Sequence, residues 1–308
     1  MELQGRDLIS ISDLEPSEVE SILQRGSTIK EEPGRFAGAL QGQTLAMIFQ
    51  KPSLRTRVTF ETGMTQLGGH GIYISPSDSG LGTRESVADV ARNLERWVDG
   101  IVARVFAHKI VLDLAEHARV PVVNALSDDF HPCQALADAL TLREHFGKLE
   151  GLKLAWLGDG NNVCSSLMLV ASRTGMRMSM ATPAGYEPDA GVLEAASRAG
   201  KATGASFEAG HDPMAAVRDA DAVYTDVWAS MGQESEAAAR AAIFRPFQVN
   251  EKVMAAAKPG AKFMHCLPAH RGDEVTDGVA DSPASVIFDQ AENRLHVQKA
   301  ILTLLMAG

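Results

Sequence analysis

The sequence is short of cysteine and of positive charge, and it lacks any long apolar run; each shortage closes a class of explanation. Cys133, Cys164 and Cys266 are the only three cysteines in 308 residues. They are too few and too scattered for a disulfide framework or a Cys-x-x-Cys metal site, and such usage predicts a reducing, cytoplasmic compartment. Lys and Arg total 29 against 39 Asp and Glu, a net charge of −10. A chain that grips nucleic acid through its phosphates needs the opposite surplus, so no nucleic-acid partner is expected. No apolar run approaches the roughly 18 residues of a membrane span, and no basic flank with an apolar core opens the sequence, so no membrane or secretory segment is expected. Repeats, charge blocks and low-complexity stretches are missing too. What is present is ordinary: 45% hydrophobic and 22% charged residues, enough to build cores of normal size. At roughly 150 residues per domain the length predicts about two domains.

Apolar runs alternate with amphipathic segments. Strands are expected at Thr44–Phe49, Gly71–Ile74, Ile101–Val105 and Val120–Asn124, with helices near Ser53–Leu67, Arg84–Trp97, Lys109–Ala118 and His131–Phe146. The pattern breaks at the polar, glycine-flanked link Gly147–Gly151. A second alternation follows, with strands at Leu152–Leu157, Met176–Met180, Ala222–Thr225 and Lys262–His265 and a terminal helix over 289–306. Strands that alternate with helices predict parallel sheets covered by helices. The expected architecture is α/β: two doubly wound parallel-sheet domains, 1–147 and 148–308, with an interdomain cleft, the terminal helix packing back on the first domain. Clefts at domain junctions are preferred ligand sites.

Gly158-Asp159-Gly160-Asn161-Asn162-Val163 follows a strand and precedes a helix, the context of a dinucleotide-binding turn. Val163 stands where a third glycine would be needed, and Met176–Met180 runs into Ala181-Thr182-Pro183 with no acidic residue for a ribose hydroxyl. A tight turn in a doubly wound sheet is the better reading than a nicotinamide site. It still leaves Asn162 at the carboxyl end of a strand, where such sheets bind ligands.

Lys51-Pro52-Ser53-Leu54-Arg55-Thr56-Arg57 lies between a strand and a helix. With Ser53 as N-cap, the amides of Leu54, Arg55 and Thr56, the positive end of the helix dipole, two hydroxyls and a guanidinium form a compact site for a phosphate dianion. Three basic residues in seven positions of an acidic chain raise this above a capped helix with solvated arginines. His131-Pro132-Cys133-Gln134 opens another first-domain helix, and Arg104 ends a strand. An imidazole N–H, a guanidinium and a hydroxyl meeting at one carbonyl oxygen would stabilise charge developing there, while Gln134 could fix an adjacent amide. His265-Cys266-Leu267-Pro268-Ala269-His270 ends a second-domain strand. Cys-x-x-x-His alone is half a zinc site and no second ligand pair has suitable spacing, so no metal is expected.

Together Ser53-Leu54-Arg55-Thr56-Arg57, His131-Pro132-Cys133-Gln134, Asp226-Val227-Trp228-Ala229-Ser230-Met231-Gly232 and His265-Cys266-Leu267-Pro268 resemble the signatures of the ornithine carbamoyltransferases, in the aspartate/ornithine carbamoyltransferase superfamily. The resemblance spans essentially the whole chain. The first two motifs are similar to those of all carbamoyltransferases; the last two point to ornithine. It implies transfer of the carbamoyl group of carbamoyl phosphate to L-ornithine, giving L-citrulline and phosphate, in arginine metabolism and with no cofactor. It also implies a homotrimer or a multiple of trimers. It further implies that Ser53, the Leu54 amide, Arg55, Thr56, Arg294 and the Pro132–Cys133 segment line a carbamoyl phosphate site. Arg104, His131 and Thr56 would polarise the carbamoyl oxygen, and Gln134 with the Cys266–Leu267 backbone would hold the carbamoyl amine. Asn162, Asp226, Ser230 and Met231 match positions that hold ornithine, with Cys266 and Asp226 orienting its reactive amine.

That amine resembles lysine's, with a free pKa of about 10.4, so it arrives protonated and must be held neutral to attack. Binding of carbamoyl phosphate, then ornithine, then closure that excludes water is the expected order. Leu54 replaces a threonine common among relatives, and Gly80 stands where many carry a glutamine that reaches a neighbouring subunit. Two other readings are a carbamoyltransferase for putrescine or an N-acylated ornithine, disfavoured by Ser230-Met231-Gly232, and a nicotinamide-dependent oxidoreductase, disfavoured by Thr182-Pro183.

Overall fold

In the computed structural model, residues 3–82, 84–229, 232 and 234–307 are described. The chain divides into two compact units: Met1–Leu140 together with Glu292–Gly308, and Thr141–Ala291. Each is built on a parallel sheet, as the alternation of strands and helices predicts.

The first unit has four strands: β1 (Thr44–Phe49), β2 (His70–Ile74), β3 (Gly100–Arg104) and β4 (Val122–Leu126), in the order β2-β1-β3-β4. Parallel strands covered on both faces read as continuous apolar runs rather than alternating ones. Thr44-Leu45-Ala46-Met47-Ile48-Phe49 is such a run, and from Leu45 onward it is buried. Ala46, Ile48, Ile101, Ala103 and Val122 pack on one face with Ala91, Leu94, Val111 and Leu114 from the helices Val87–Leu94 and His108–His117. On the edge strand β2, Ile72 remains exposed.

β4 lies two residues beyond the expected Val120–Asn124. Pro121 has no N–H to enter a ladder; its carbonyl instead accepts from the Ile101 amide at 2.9 Å. Regular pairing therefore starts at Val122, whose N–H donates to Asp7 Oδ1 at 2.7 Å. The helix expected over Arg84–Trp97 is shortened to Val87–Leu94, because Ser86 Oγ accepts the Asp89 N–H and fixes the start there.

The second unit has five strands: β5 (Lys153–Leu157), β6 (Arg177–Ala181), β7 (Ser206–Gly210), β8 (Ala222–Thr225) and β9 (Lys262–Met264), in the order β7-β6-β5-β8-β9. Ala155, Leu157, Val223 and Phe263 share a core with Val217, Val253 and Val279. Trp156 and Tyr224 stack with ring centroids 5.3 Å apart on paired strands. Both sheets reverse their order beside the first strand, between β1 and β3 and between β5 and β8. Open α/β sheets bind ligands outside the carboxyl ends of their strands at such a reversal.

Candidate active site

At the reversal of the first sheet, Phe49 of β1 pairs with Arg104 of β3. The β3–β4 register shifts between Ala103 and Arg104, with Ala125 of β4 the extra residue. Arg104 is buried. After β1 the chain turns at Ser53, whose Oγ accepts the Thr56 N–H at 3.2 Å and starts the helix Leu54–Gln66. The amides and dipole at that start face negative charge favourably. Leu54 is 75% exposed, so only its backbone can serve an anion there.

Thr56 is fully buried, and Arg294, from the helix Ile287–Met306, donates from Nη2 to Thr56 Oγ1 at 2.6 Å. Lys51 is also buried, with Nζ 2.6 Å from Asp128 Oδ1 and 4.4 Å above the Phe106 ring. Its place two residues before the N-cap is visible in the sequence, but no role follows from that spacing alone. The charge of these cations acts on His131. Burial drives its pKa well below the usual imidazole value, and Arg294, Arg104, Arg55 and Lys51 push it the same way. The imidazole is therefore neutral near pH 7.

His131 precedes the helix Pro132–Phe146, and its carbonyl accepts the amides of Gln134 and Ala135. Gln134 donates from Nε2 to Asp138 Oδ1 at 2.8 Å. Its buried Oε1 has no hydrogen-bond partner among the described residues, an acceptor suited to an amide N–H. Cys133 points into the core: Sγ lies 3.5 Å from the Asn124 carbonyl, and burial pushes the thiol up to about 12. Any contact of Cys133 or Pro132 with a ligand would be through backbone.

In the second unit, β5 leads into Gly158–Asn162 and the adjacent β8 leads into Asp226. Asp226 Oδ1 accepts the Cys266 thiol at 3.0 Å, and Oδ2 accepts Asn161 Nδ2 at 2.8 Å. Asn162 is the first residue of the helix Asn162–Thr174, with Asn161 as its N-cap. Sequence reasoning selected Asn162; which of two adjacent asparagines turns toward Asp226 depends on the turn, not on composition. Ser230 and Met231 lie outside the described residues.

Cys266 and Leu267 are held by a buried relay. His265 Nδ1 accepts the Leu267 N–H at 2.9 Å, so Nε2 carries the proton and donates to Glu274 Oε1 at 3.1 Å. Gln290 Oε1 accepts the His265 amide at 2.9 Å. Leu267 sits at φ 61°, an unusual conformation for a branched residue that these bonds hold in place. Asp226, His265 and Cys266 place ligating atoms within 4.8 Å of one another. Both ring nitrogens of His265 are already engaged, so metal ligation there would break the relay.

The glycine loop serves its own neighbours. A Cβ at Gly160 would stand 2.3 Å from the Pro188 backbone nitrogen, and the Gly160 N–H donates to the Tyr186 carbonyl. The glycine that would admit a pyrophosphate in a dinucleotide site admits the segment 186–188 instead, against the oxidoreductase reading. Next to it, Arg240 donates from both terminal nitrogens to Asp159 Oδ2 at 3.0 Å, between the Tyr186 and Phe244 rings. Burial lifts the Asp159 pKa to about 6 against the pull of Arg240, and the nearby Asp226 charge adds to the rise.

Known proteins match both halves. A carbamoyl-P binding domain model of aspartate/ornithine carbamoyltransferases matches residues 6–144, and the corresponding Asp/Orn binding domain model matches 150–305. The chain is 55% identical to an ornithine carbamoyltransferase of Thermococcus kodakarensis, covering 99% of this chain and 98% of that one. The solved ornithine carbamoyltransferase of Pyrococcus furiosus superposes with a TM-score of 0.96 at 55% identity, covering 99% of this chain and 98% of that one. The Thermus thermophilus structure of the same description gives 0.87 at 49% identity, covering 97% and 98%.

Proposed function

This chain belongs to the aspartate/ornithine carbamoyltransferase family, and from that premise we propose that it carries the carbamoyl group of carbamoyl phosphate to the side-chain amine of L-ornithine, yielding L-citrulline and phosphate in arginine biosynthesis. The observation that carries the reading is that the charges of Arg294, Arg104, Arg55 and Lys51 all act on a buried, neutral His131, in the same unit as the capped helix start at Ser53. Concentrated positive charge in a chain of net charge −10 calls for a dianionic ligand.

Carbamoyl phosphate is held by the first unit. Its phosphate takes the amides of Leu54 and Arg55, the Ser53 hydroxyl and the guanidinium of Arg55, with Arg294 adding charge. Arg104, His131 and Thr56 donate to the carbamoyl oxygen, where negative charge grows as the carbon becomes tetrahedral. A neutral His131 can donate a hydrogen bond there without adding another charge to the cluster. The open Oε1 of Gln134 accepts from the carbamoyl amine.

Ornithine is held by the second unit: Asn162, Ser230 and Met231 take its α-groups, and Asp226 with Cys266 takes the reactive amine. The neutral amine's lone pair forms the new C–N bond. The carbamoyl C–O bond to phosphate then breaks, and the amine's surplus proton leaves with the phosphate, which departs as an anion into the arginine cluster. No metal or organic cofactor enters this scheme.

We also infer a homotrimer or a multiple of trimers. Leu54 and Val58, one turn apart on the same helix, and Ile72 of the neighbouring β2 are exposed apolar residues suited to a subunit contact. Sedimentation velocity giving a monomer would overturn that inference. Among the described residues no helix is long and apolar enough to cross a membrane, and none of the three cysteines is in a disulfide. A cytoplasmic enzyme is the location we propose. The decisive experiment measures citrulline from carbamoyl phosphate with ornithine, putrescine and N-acetylornithine side by side. Turnover should be confined to ornithine; a preference for either other acceptor would replace the reading.

A further inference from the structure

The Asp226 carboxylate is held at two points. Its Oδ1 meets the Cys266 thiol, and its Oδ2 meets Asn161 Nδ2 at 2.8 Å. The Asn161 side chain is itself fixed from the other end, because its Oδ1 accepts the amides of Val163 at 3.0 Å and Cys164 at 3.2 Å. One amide group therefore does two jobs. Its oxygen closes the start of the helix Asn162–Thr174, and its nitrogen reaches across from β5 to the paired β8 and holds the carboxylate.

We propose that Asn161 is a positioning residue for the acceptor amine: by donating to Asp226 Oδ2 from a backbone-anchored side chain, it turns Asp226 Oδ1 toward Cys266 and the reacting amine. The proposal rests on the reading that Asp226 and Cys266 receive ornithine's reactive amine. Without the Asn161 donor, Asp226 can rotate about its side-chain bonds and present either oxygen, or neither. The neighbouring acid cannot substitute, since both terminal nitrogens of Arg240 hold Asp159. A carboxylate off line by about an ångström is costly for a reaction that depends on placing an amine against a carbon.

The two jobs can be separated. Ser and Asp cap helices about as well as Asn, so Asn161→Ser and Asn161→Asp keep the oxygen that closes the helix. Ser lacks the N–H donor, and Asp sets a second acceptor against Asp226 Oδ2. If the contact positions Asp226, both variants should melt within a few degrees of the parent and bind carbamoyl phosphate unchanged. Their kcat/KM for ornithine should fall by about 10- to 150-fold for Ser, the worth of a hydrogen bond to a charged group, and further for Asp. Wild-type ornithine kinetics in both variants would reduce Asn161 to a helix cap and overturn the proposal, whatever their melting temperatures. Equal losses toward carbamoyl phosphate and ornithine would also overturn it, because an effect on the whole fold would explain them. Failure of the parent protein to form citrulline would refute the underlying reading separately.

Discussion

Replacing Arg294 with Met tests whether the cationic cluster is there for a ligand. Met has similar length and no charge, so the space beneath the helix stays filled while one guanidinium is lost. In the folded chain that guanidinium donates to the buried Thr56 hydroxyl at 2.6 Å and is first among the charges acting on His131. A hydrogen bond from a charged donor is worth about 1.5–3 kcal/mol, so the dissociation constant of carbamoyl phosphate should rise about 10- to 150-fold. Isothermal titration calorimetry reads this directly. The KM for ornithine at saturating carbamoyl phosphate should move by less than about threefold, since Arg294 and the Asp226 group lie in different units.

A second readout follows from the sign of the charge. Arg294 lowers the His131 pKa, so its loss should let the imidazole titrate at higher pH, visible in the ring resonances of labelled protein; Arg294→Lys should restore the lower value. The ligand-free variant should melt no lower than the parent, because like charges crowded around a buried ring oppose folding. With carbamoyl phosphate present the order should reverse. Unchanged carbamoyl phosphate affinity in Arg294→Met would refute the assignment of this cluster.

Arg104→Ala should act mainly on turnover. Removing one donor to a developing oxyanion costs about 100- to 1,000-fold, so kcat should fall by that order while carbamoyl phosphate affinity changes less than about tenfold; steady-state and binding measurements together check it. Asp159 predicts a stability slope. Its folded pKa of about 6 stands above the ordinary 3.8, so the folded form holds the extra proton between those values. This carboxyl therefore opposes folding increasingly as pH rises from about 4 to 6, by at most about 3 kcal/mol, and levels off above. Urea unfolding of the parent and of Asp159→Asn across that range should show their stability difference changing by that sign, and parallel curves would refute it.

The strands were legible where burial on both faces forces unbroken apolar runs, as at Leu45–Phe49 and Leu154–Leu157. β7 was not, because Ser206-Phe207-Glu208-Ala209-Gly210 is an exposed edge whose residues carry no such signal. The polar residues at strand ends were legible as chemistry out of place: Ser53, Arg104, His131 and Cys266 stand where a covering helix or a solvated loop would not require them. Contacts closed by tertiary packing left less trace. Asp159 and Arg240 are 81 residues apart, and neither motif nor spacing joins them. Asn161 and Asn162 look alike in the sequence; only the backbone at the turn sends one to Asp226. The Gly158–Asn162 loop was legible as a tight turn rather than a cofactor site, but the chain segment its glycine accommodates, 186–188, was not.

The first unit is discontinuous, and that has a consequence for how the protein is made. Its buried Thr56 and the Arg294 that meets it are separated by 238 positions. At roughly 5–20 residues per second, a ribosome needs about ten to thirty seconds after the amino-terminal sheet has emerged to deliver the segment that completes it. During that interval the nascent sheet lacks part of its apolar cover and the Arg294 guanidinium of the proposed carbamoyl phosphate site, so a ligand should not help it fold early. Chaperone capture should concentrate in that window, and carbamoyl phosphate should stabilise only chains that already include 292–307.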